Sequence, residues 1–206
     1  MPTENFYRLS EIKQQSIINA VKMEITRAPY EEFSIYNVVQ HCDISRGSFY
    51  QYFYSKDDVF IYLMSEYNNT IIDCVRNSLK THDGDFFIAL EEGFRCGVSM
   101  FCYKDNTDYR QHLFCHVKFY EKIWKDDEFS AEKHPALHET LFLINRQKLN
   151  FIHNEEDLRI LIQICMATVT RECVRLLMTK TDEETICESF MCKLNLLKHA
   201  YLKANT

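Results

Sequence analysis

Apolar residues recur along this chain every three or four positions, and short polar stretches interrupt the recurrence. From about Leu9 to Arg27, the residues Ile12, Ile17, Ala20, Val21 and Ile25 are read as one helical face, and Pro29 stops the run because its ring disfavours helix in the residue before it. Two short segments follow. SIYNVVQHC opens on Ser34, in position to cap, and offers Val38, Val39 and Cys42 for burial. ISRGSFYQYF comes after a turn at Asp43, a residue type that tolerates the left-handed conformation. Two helices of about eight residues joined by a tight turn make a helix-turn-helix. A fourth helix begins at Ser55, which with Asp58 has capping-box spacing, and Phe60, Leu63, Met64, Tyr67, Ile71, Cys74 and Val75 continue it to about Leu79, where THDGD breaks it.

Further helices are predicted at about 85–103, 107–124, 136–152, 155–179 and 183–203. Their starts are marked by Asn106 or Thr107, by Pro135 in a first turn, by Asn154 with Asp157, and by Thr181 with Glu184. About nine helices predict an all-α protein. The last two helices are apolar on more than one side. On the eighth, Leu158, Leu161, Ile162, Cys165, Val169, Cys173 and Leu176 form one stripe; Ile160, Ile164, Ala167, Val174 and Met178 form a second. On the ninth, Ile186, Phe190, Leu194, Leu197 and Tyr201 align, with Cys187 and Met191 beside them. A helix with two apolar stripes needs two sets of neighbours. A central core helix satisfies that need, and so does a homodimer in which this pair meets its symmetry mate as a four-helix bundle; the chain-terminal position favours the dimer, through Ile160, Ile164, Ala167, Val174, Met178, Phe190, Leu194 and Leu197.

Composition narrows the class. The chain has 206 residues, 46% hydrophobic and 26% charged, with only four Gly and three Pro, too few turn-makers for a barrel or sandwich. Its nine cysteines contain no CxxC and fall mostly inside apolar stripes, as reduced thiols used for packing do. With no N-terminal apolar segment and no run of about 18 apolar residues, neither a secretory signal nor a membrane span is expected, and the compartment is read as the cytoplasm. The formal charge of −6 argues against nucleic acid until its distribution is considered, because residues 1–56 carry six cationic and six acidic side chains and are neutral.

The stretch from IINAVKMEI through YEEFSIYNVVQHCDISRGSFYQYFYSKDDVF resembles the DNA-binding domain of the tetracycline-repressor-type (TetR/AcrR) transcriptional regulators. It has an apolar first helix, Phe-Ser opening the second, Ile-Ser-Arg-Gly-Ser-Phe-Tyr on the third, then Tyr-Phe, Ser-Lys and acids opening the fourth. Pro29, Cys42 and Asp43 stand where that family usually has Gly, Ala and the turn Gly; all three suit their places. The resemblance covers the first quarter to third of the chain. It implies a helix-turn-helix domain over residues 1–54 and a helical effector-binding and dimerisation domain over 55–206.

A helix-turn-helix places its second helix in the major groove of double-stranded DNA, which accounts for so many tyrosines beside Arg and Ser. Ser45 is placed to cap that helix or meet a phosphate, and Gly47 to let the backbone approach. Arg46 is the candidate for bidentate reading of guanine, with Ser48 and Gln51 facing other base edges. Tyr50 and Tyr52 are read as hydroxyl donors to phosphate and Lys56 as a backbone cation; Ser34 and Tyr36 are near the DNA by the resemblance. Phe49 and Phe53, four apart, belong to the core.

In the body, Met100, Phe101, Phe114, Phe119, Trp124 and Phe142 are candidates to line a cavity for a small apolar or aromatic effector, though each alone also suits core packing. His112 with His116, with Cys115 beside them, and His134 with His138 have i, i+4 spacing; a zinc site would need further ligands from elsewhere, and no metal or cofactor is expected. HExxH, a P-loop, a dinucleotide turn and a nucleophile elbow are all missing from the sequence, so no enzymatic activity is expected. The function read here is a ligand-responsive homodimeric DNA-binding regulator, a repressor of a palindromic operator. The alternative is a helical metal- or small-molecule-binding protein whose N-terminal motif has left DNA.

Overall fold

A computed structural model of the chain describes residues 1–102, 107–114, 135–179 and 181–202. Among these residues there are ten α-helices and no strand beyond an isolated bridge from Leu149 to Leu202. The helices are α1 (Glu4–Tyr7), α2 (Glu11–Arg27), α3 (Ile35–His41), α4 (Arg46–Tyr52), α5 (Lys56–Thr81), α6 (Phe86–Cys102), α7 (Thr107–Phe114), α8 (Pro135–Leu141), α9 (Glu155–Met178) and α10 (Glu183–Tyr201). Two 3-10 turns, Tyr30–Glu32 and Arg146–Lys148, add to them. The described residues fall into two compact units, one of 1–68 with 107–114 and the other of 69–102, 135–179 and 181–202.

In the first unit α2 starts at Glu11, two residues later than its periodicity suggests, because Ser10 adopts an extended conformation and accepts a hydrogen bond from the Lys13 N–H at 3.4 Å. Ile17, Ile18, Val21 and Ile25 are buried, as are Phe33, Val38, Phe49 and Phe60 of the same unit. Ile12 does not join them and is 84% exposed. At about 100° per residue it lies opposite Val21, and its neighbours one turn on are Gln15 and Ser16. The helix ends where Ala28 turns extended ahead of Pro29. The short α1 is absent from the hydrophobic pattern. It forms because Phe6 packs on Phe53, with ring centroids 5.0 Å apart, and the gain comes from a residue far along the chain.

The second unit is built on the buried stripes of α6, α9 and α10. Leu158, Leu161, Ile162, Cys165 and Leu176 of α9 face Ile186, Phe190 and Leu194 of α10, and Phe94 of α6 stacks on Phe190 at 3.9 Å. α6 crosses α5 where Gly93 meets Val75, so closely that a Cβ on Gly93 would strike the valine side chain. The turn from α5 to α6 needs Gly84, whose φ of 71° is left-handed and whose missing Cβ would lie 2.6 Å from the Leu143 carbonyl oxygen.

The helix predicted over 136–152 stops early. After Leu141 the N–H groups of Leu143 and Ile144 fold back on the carbonyls of Thr140 and Leu141 at 3.1 and 3.2 Å. Asn145 then donates its N–H to the Gly84 carbonyl at 2.9 Å, and Asn150 donates its own to Tyr201 at 2.6 Å. Two distant segments thus take the backbone groups that a continuous helix would have used. α10 begins at Glu183, where its predicted range begins, but its cap lies one residue past the sequence signal: Asp182 rather than Thr181 accepts the capping bond, from Thr185 N–H at 2.9 Å. At α9 the predicted capping box of Asn154 and Asp157 is present.

Candidate nucleic-acid interface

The reading segment is assembled by caps at both of its helix starts. Ser34 accepts from the Asn37 N–H at 3.4 Å to open α3, and Ser45 accepts from the Ser48 N–H at 3.0 Å to open α4. Between them the turn is made by Asp43, with φ of 49°, and is closed by the Ile44 N–H on the Val39 carbonyl at 3.1 Å. Lys13 of α2 reaches the Cys42 carbonyl at 3.0 Å and ties the end of α3 down.

Burial sorts the two sides of α4. Phe49 and Phe53 are sealed, their ring centroids 5.6 Å apart. Ser45, Arg46, Gly47, Tyr50 and Gln51 are exposed, while Ser48 and Tyr52 are half-buried, Tyr52 edge-on to Phe6 at 6.5 Å. Arg46 and Tyr50 form a pair on the open side: the guanidinium donates to the tyrosine hydroxyl at 3.5 Å and lies 5.8 Å from its ring centroid. A Cβ on Gly47 would meet nothing nearer than the Ser45 hydroxyl at 3.6 Å, so intramolecular packing does not demand glycine there. At the start of α3, Ser34 is half-buried and Tyr36 is 65% exposed.

Lys56 is half-buried and tied back onto its own unit. Its ammonium donates to the Tyr30 carbonyl at 2.9 Å and sits 4.0 Å from that residue's ring centroid. The Tyr30 hydroxyl in turn bonds Asp57, and its pKa is raised, first by burial and then by that carboxylate.

Three residues make contacts that escape pattern reading. Thr3 donates its N–H to the Tyr52 carbonyl at 2.9 Å and its hydroxyl to the Gln51 carbonyl at 2.6 Å, so the segment before α1 closes the last turn of α4. His112 of α7 donates from Nδ1 to the Ile25 carbonyl at 2.7 Å. Glu24, 2% exposed, accepts from Arg27 and from the start of α3. The signal for Glu24 was an acid at helical spacing from Ala20 and Val21, inside the buried stripe. Nothing comparable marked Thr3 or His112.

The body residues are placed more diffusely. Met100 and Phe101 are half-buried on α6, and Phe142, just past α8, is 68% exposed with its ring edge-on to His138. Phe114 is buried in the first unit against Tyr67, centroids 4.8 Å apart. Phe119, Trp124, His116 and His134 lie outside the described residues. On α9, Ile160, Ile164, Ala167, Val174 and Met178 are all exposed, while on α10 Leu197 is half-buried and Phe190 and Leu194 lie within the core of one chain.

With this geometry in view, the chain compares with known proteins as follows. Residues 17–63 match the domain described as bacterial regulatory proteins, tetR family. Residues 85–199, more than half of the chain, match the tetracyclin repressor-like C-terminal domain. The chain belongs to the tetR family. It is a DNA-binding transcriptional regulator, with the helix-turn-helix domain and the helical C-terminal domain of that family. All ten candidate DNA-binding residues, from Ser34 to Lys56, lie in the tetR match, and every candidate of the body lies in the C-terminal one.

The fold is shared with solved tetR-family structures. One is a transcriptional regulator from Chloroflexus aurantiacus J-10-FL, with TM-score 0.52 and 18% identity over 99% of this chain and 100% of that one. Another, from Marinobacter aquaeolei VT8, has TM-score 0.51 and 15% identity over 89% of this chain and 94% of its own. No curated protein matches the sequence. Among the described residues no helix is long and apolar enough to cross a membrane.

Proposed function

We propose that this tetR-family regulator works as a cytoplasmic homodimer and represses transcription from a roughly palindromic operator until a small apolar or aromatic effector releases it. Residues 1–54 read the DNA, and residues 55–206 hold the effector and pair the subunits. Each subunit lays α4 in a major groove, with Arg46 reading guanine, Ser48 and Gln51 meeting other edges, and Ser34, Tyr36, Ser45, Tyr50 and Tyr52 on the backbone. The observation that carries this reading is the division of α4: Phe49 and Phe53 are sealed while Arg46, Gly47, Tyr50 and Gln51 are offered together to the outside.

Pairing is supported by α9, where Ile160, Ile164, Ala167, Val174 and Met178 keep seam spacing and stay exposed after one chain has folded. Because Phe190 and Leu194 are engaged within the subunit, the seam rests on those five residues with Leu197. An effector acts by binding two dimer geometries with different affinity, favouring one whose heads no longer match successive grooves. Footprinting of the promoter region of its own gene, with and without candidate apolar ligands, tests the scheme. Protection of two half-sites about one helical turn apart, lost with effector, is the expected result; protein that retards no DNA at low salt overturns it.

A further inference from the structure

A buried acid in the reading unit has no place in the scheme above. Glu24, near the end of α2, is 2% exposed, yet its carboxylate is saturated with donors. Arg27 donates from Nε at 2.8 Å and from Nη2 at 2.6 Å. The Ser34 N–H donates at 2.9 Å, and the Asn37 amide lies 3.2 and 3.1 Å from the two oxygens. Arg27 also reaches the Glu32 carbonyl at 3.2 Å, so the linker between the helices is gathered into the same cluster.

The chemistry of helix starts explains why this matters. In a capping box the cap side chain accepts from the third helical N–H, and an acid at that third position accepts from the cap N–H in return. Here Ser34 makes the first bond, but the third position is Asn37, whose amide points its donor at Glu24. The Ser34 N–H therefore finds its acceptor on another helix. Glu24 completes the box of α3 from α2, and the direction in which α3 leaves is set by a side chain ten residues before the cap.

We infer that Glu24 is a positioning residue for DNA recognition: its carboxylate clamps the start of α3 and thereby aims Ser34, Tyr36 and the α4 that follows. The inference rests on the reading that α3 and α4 meet DNA. Replacing Glu24 with Gln puts an amide donor among the donors of Ser34, Asn37 and Arg27. Adding Asn37→Asp returns the negative charge to the cluster and gives the new Gln amide an acceptor, while the Gln oxygen still serves Ser34.

The test compares wild type, Glu24→Gln and Glu24→Gln/Asn37→Asp on two probes, the duplex that wild-type protein enriches from a random pool and a scrambled duplex of equal length. Glu24→Gln loses affinity for the enriched duplex by roughly tenfold or more, through misaligned base contacts. Affinity for the scrambled duplex and the salt slope stay as in wild type, because phosphate contacts carry those. The double variant recovers to within about threefold of wild type. A role confined to stability lowers both affinities together with the folded fraction, and that overturns the inference, as does wild-type discrimination by Glu24→Gln. Should Glu24→Gln fail to fold, the double variant decides: folded with wild-type discrimination, it upholds the clamp; unfolded or undiscriminating, it overturns it. A pool from which wild type enriches nothing removes the DNA reading itself, a failure distinct from the others.

Discussion

A carboxylate taken out of water survives only if its neighbours replace the water, and Glu24 is the clearest case in the reading unit. Burial pushes its pKa up; the hydrogen bonds from Arg27, Asn37 and the Ser34 N–H outweigh burial and leave it below the ordinary 4.5. The sign of the linkage follows. A carboxyl whose folded pKa is depressed contributes stability that is fully present above the unfolded value and is lost as pH falls through the folded value. The stability difference between wild type and Glu24→Gln, measured by urea melts across pH, is therefore expected to hold steady down to about pH 4.5 and to shrink below it. A gap that shrinks on raising the pH from 5 to 7 would contradict the clamp. Glu172 in the second unit is a different case: fully buried, it is ion-paired with Lys193 and lies 3.5 Å from Arg175, side chains that are themselves part-exposed.

At the scale of elements, helix starts carry measurable weight. The capping box of Asn154 and Asp157 opens α9, the longest helix of the second unit, and Asn154→Ala is expected to cost about 1 kcal/mol in a denaturant melt. Asp182 and Thr181 separate two versions of the α10 start. Only Asp182 accepts from the Thr185 N–H, so Asp182→Ala lowers the thermal midpoint and Thr181→Ala leaves it nearly unchanged. The caps at Ser34 and Ser45, the left-handed Asp43 and the box at Ser55 and Asp58 were all legible beforehand, since each is a bond or conformation settled within four residues. α1 and the early stop of α8 were not. Each depends on a partner about fifty or more residues away, Phe53 for Phe6 and Gly84 for Asn145, and periodicity carries no information about such partners.

For the whole molecule, the two-headed binding proposed above would convert modest contacts into useful affinity. Ile164→Asp places a charge in the middle of the exposed stripe of α9, and sedimentation equilibrium is expected to find a monomer whose operator affinity is lower by about two powers of ten. A dimer that persists would move the interface elsewhere. Charge tells a second story. With Lys56 turned back on Tyr30 and Arg46 given to guanine, few cations of the reading segment are left for phosphate, and the log–log salt slope is expected to be no more than roughly three to four. Arg46→Ala should cost about 1–3 kcal/mol of operator binding and relax the preference for guanine while leaving that slope nearly unchanged. A slope near ten would mean that other cations, outside the helix-turn-helix, carry the contact.

Sequence alone was enough for the all-α class, the helix-turn-helix, its caps and its sealed Phe49 and Phe53, because period, capping and turn chemistry are local and act over a single helical turn. It also marked both apolar stripes of α9. Which stripe a single chain would cover, and which it would leave open at Ile160, Ile164, Ala167, Val174 and Met178, was decided only when α6 and α10 came to lie on the other one. Tertiary structure likewise decided that Ile12 faces water, that Phe190 and Leu194 pack against their own chain, that Lys56 bends back to Tyr30, and that Glu24 holds α3. Hydrophobicity states that a side chain needs cover and charge states that it needs a partner; the path of the chain through space supplies both.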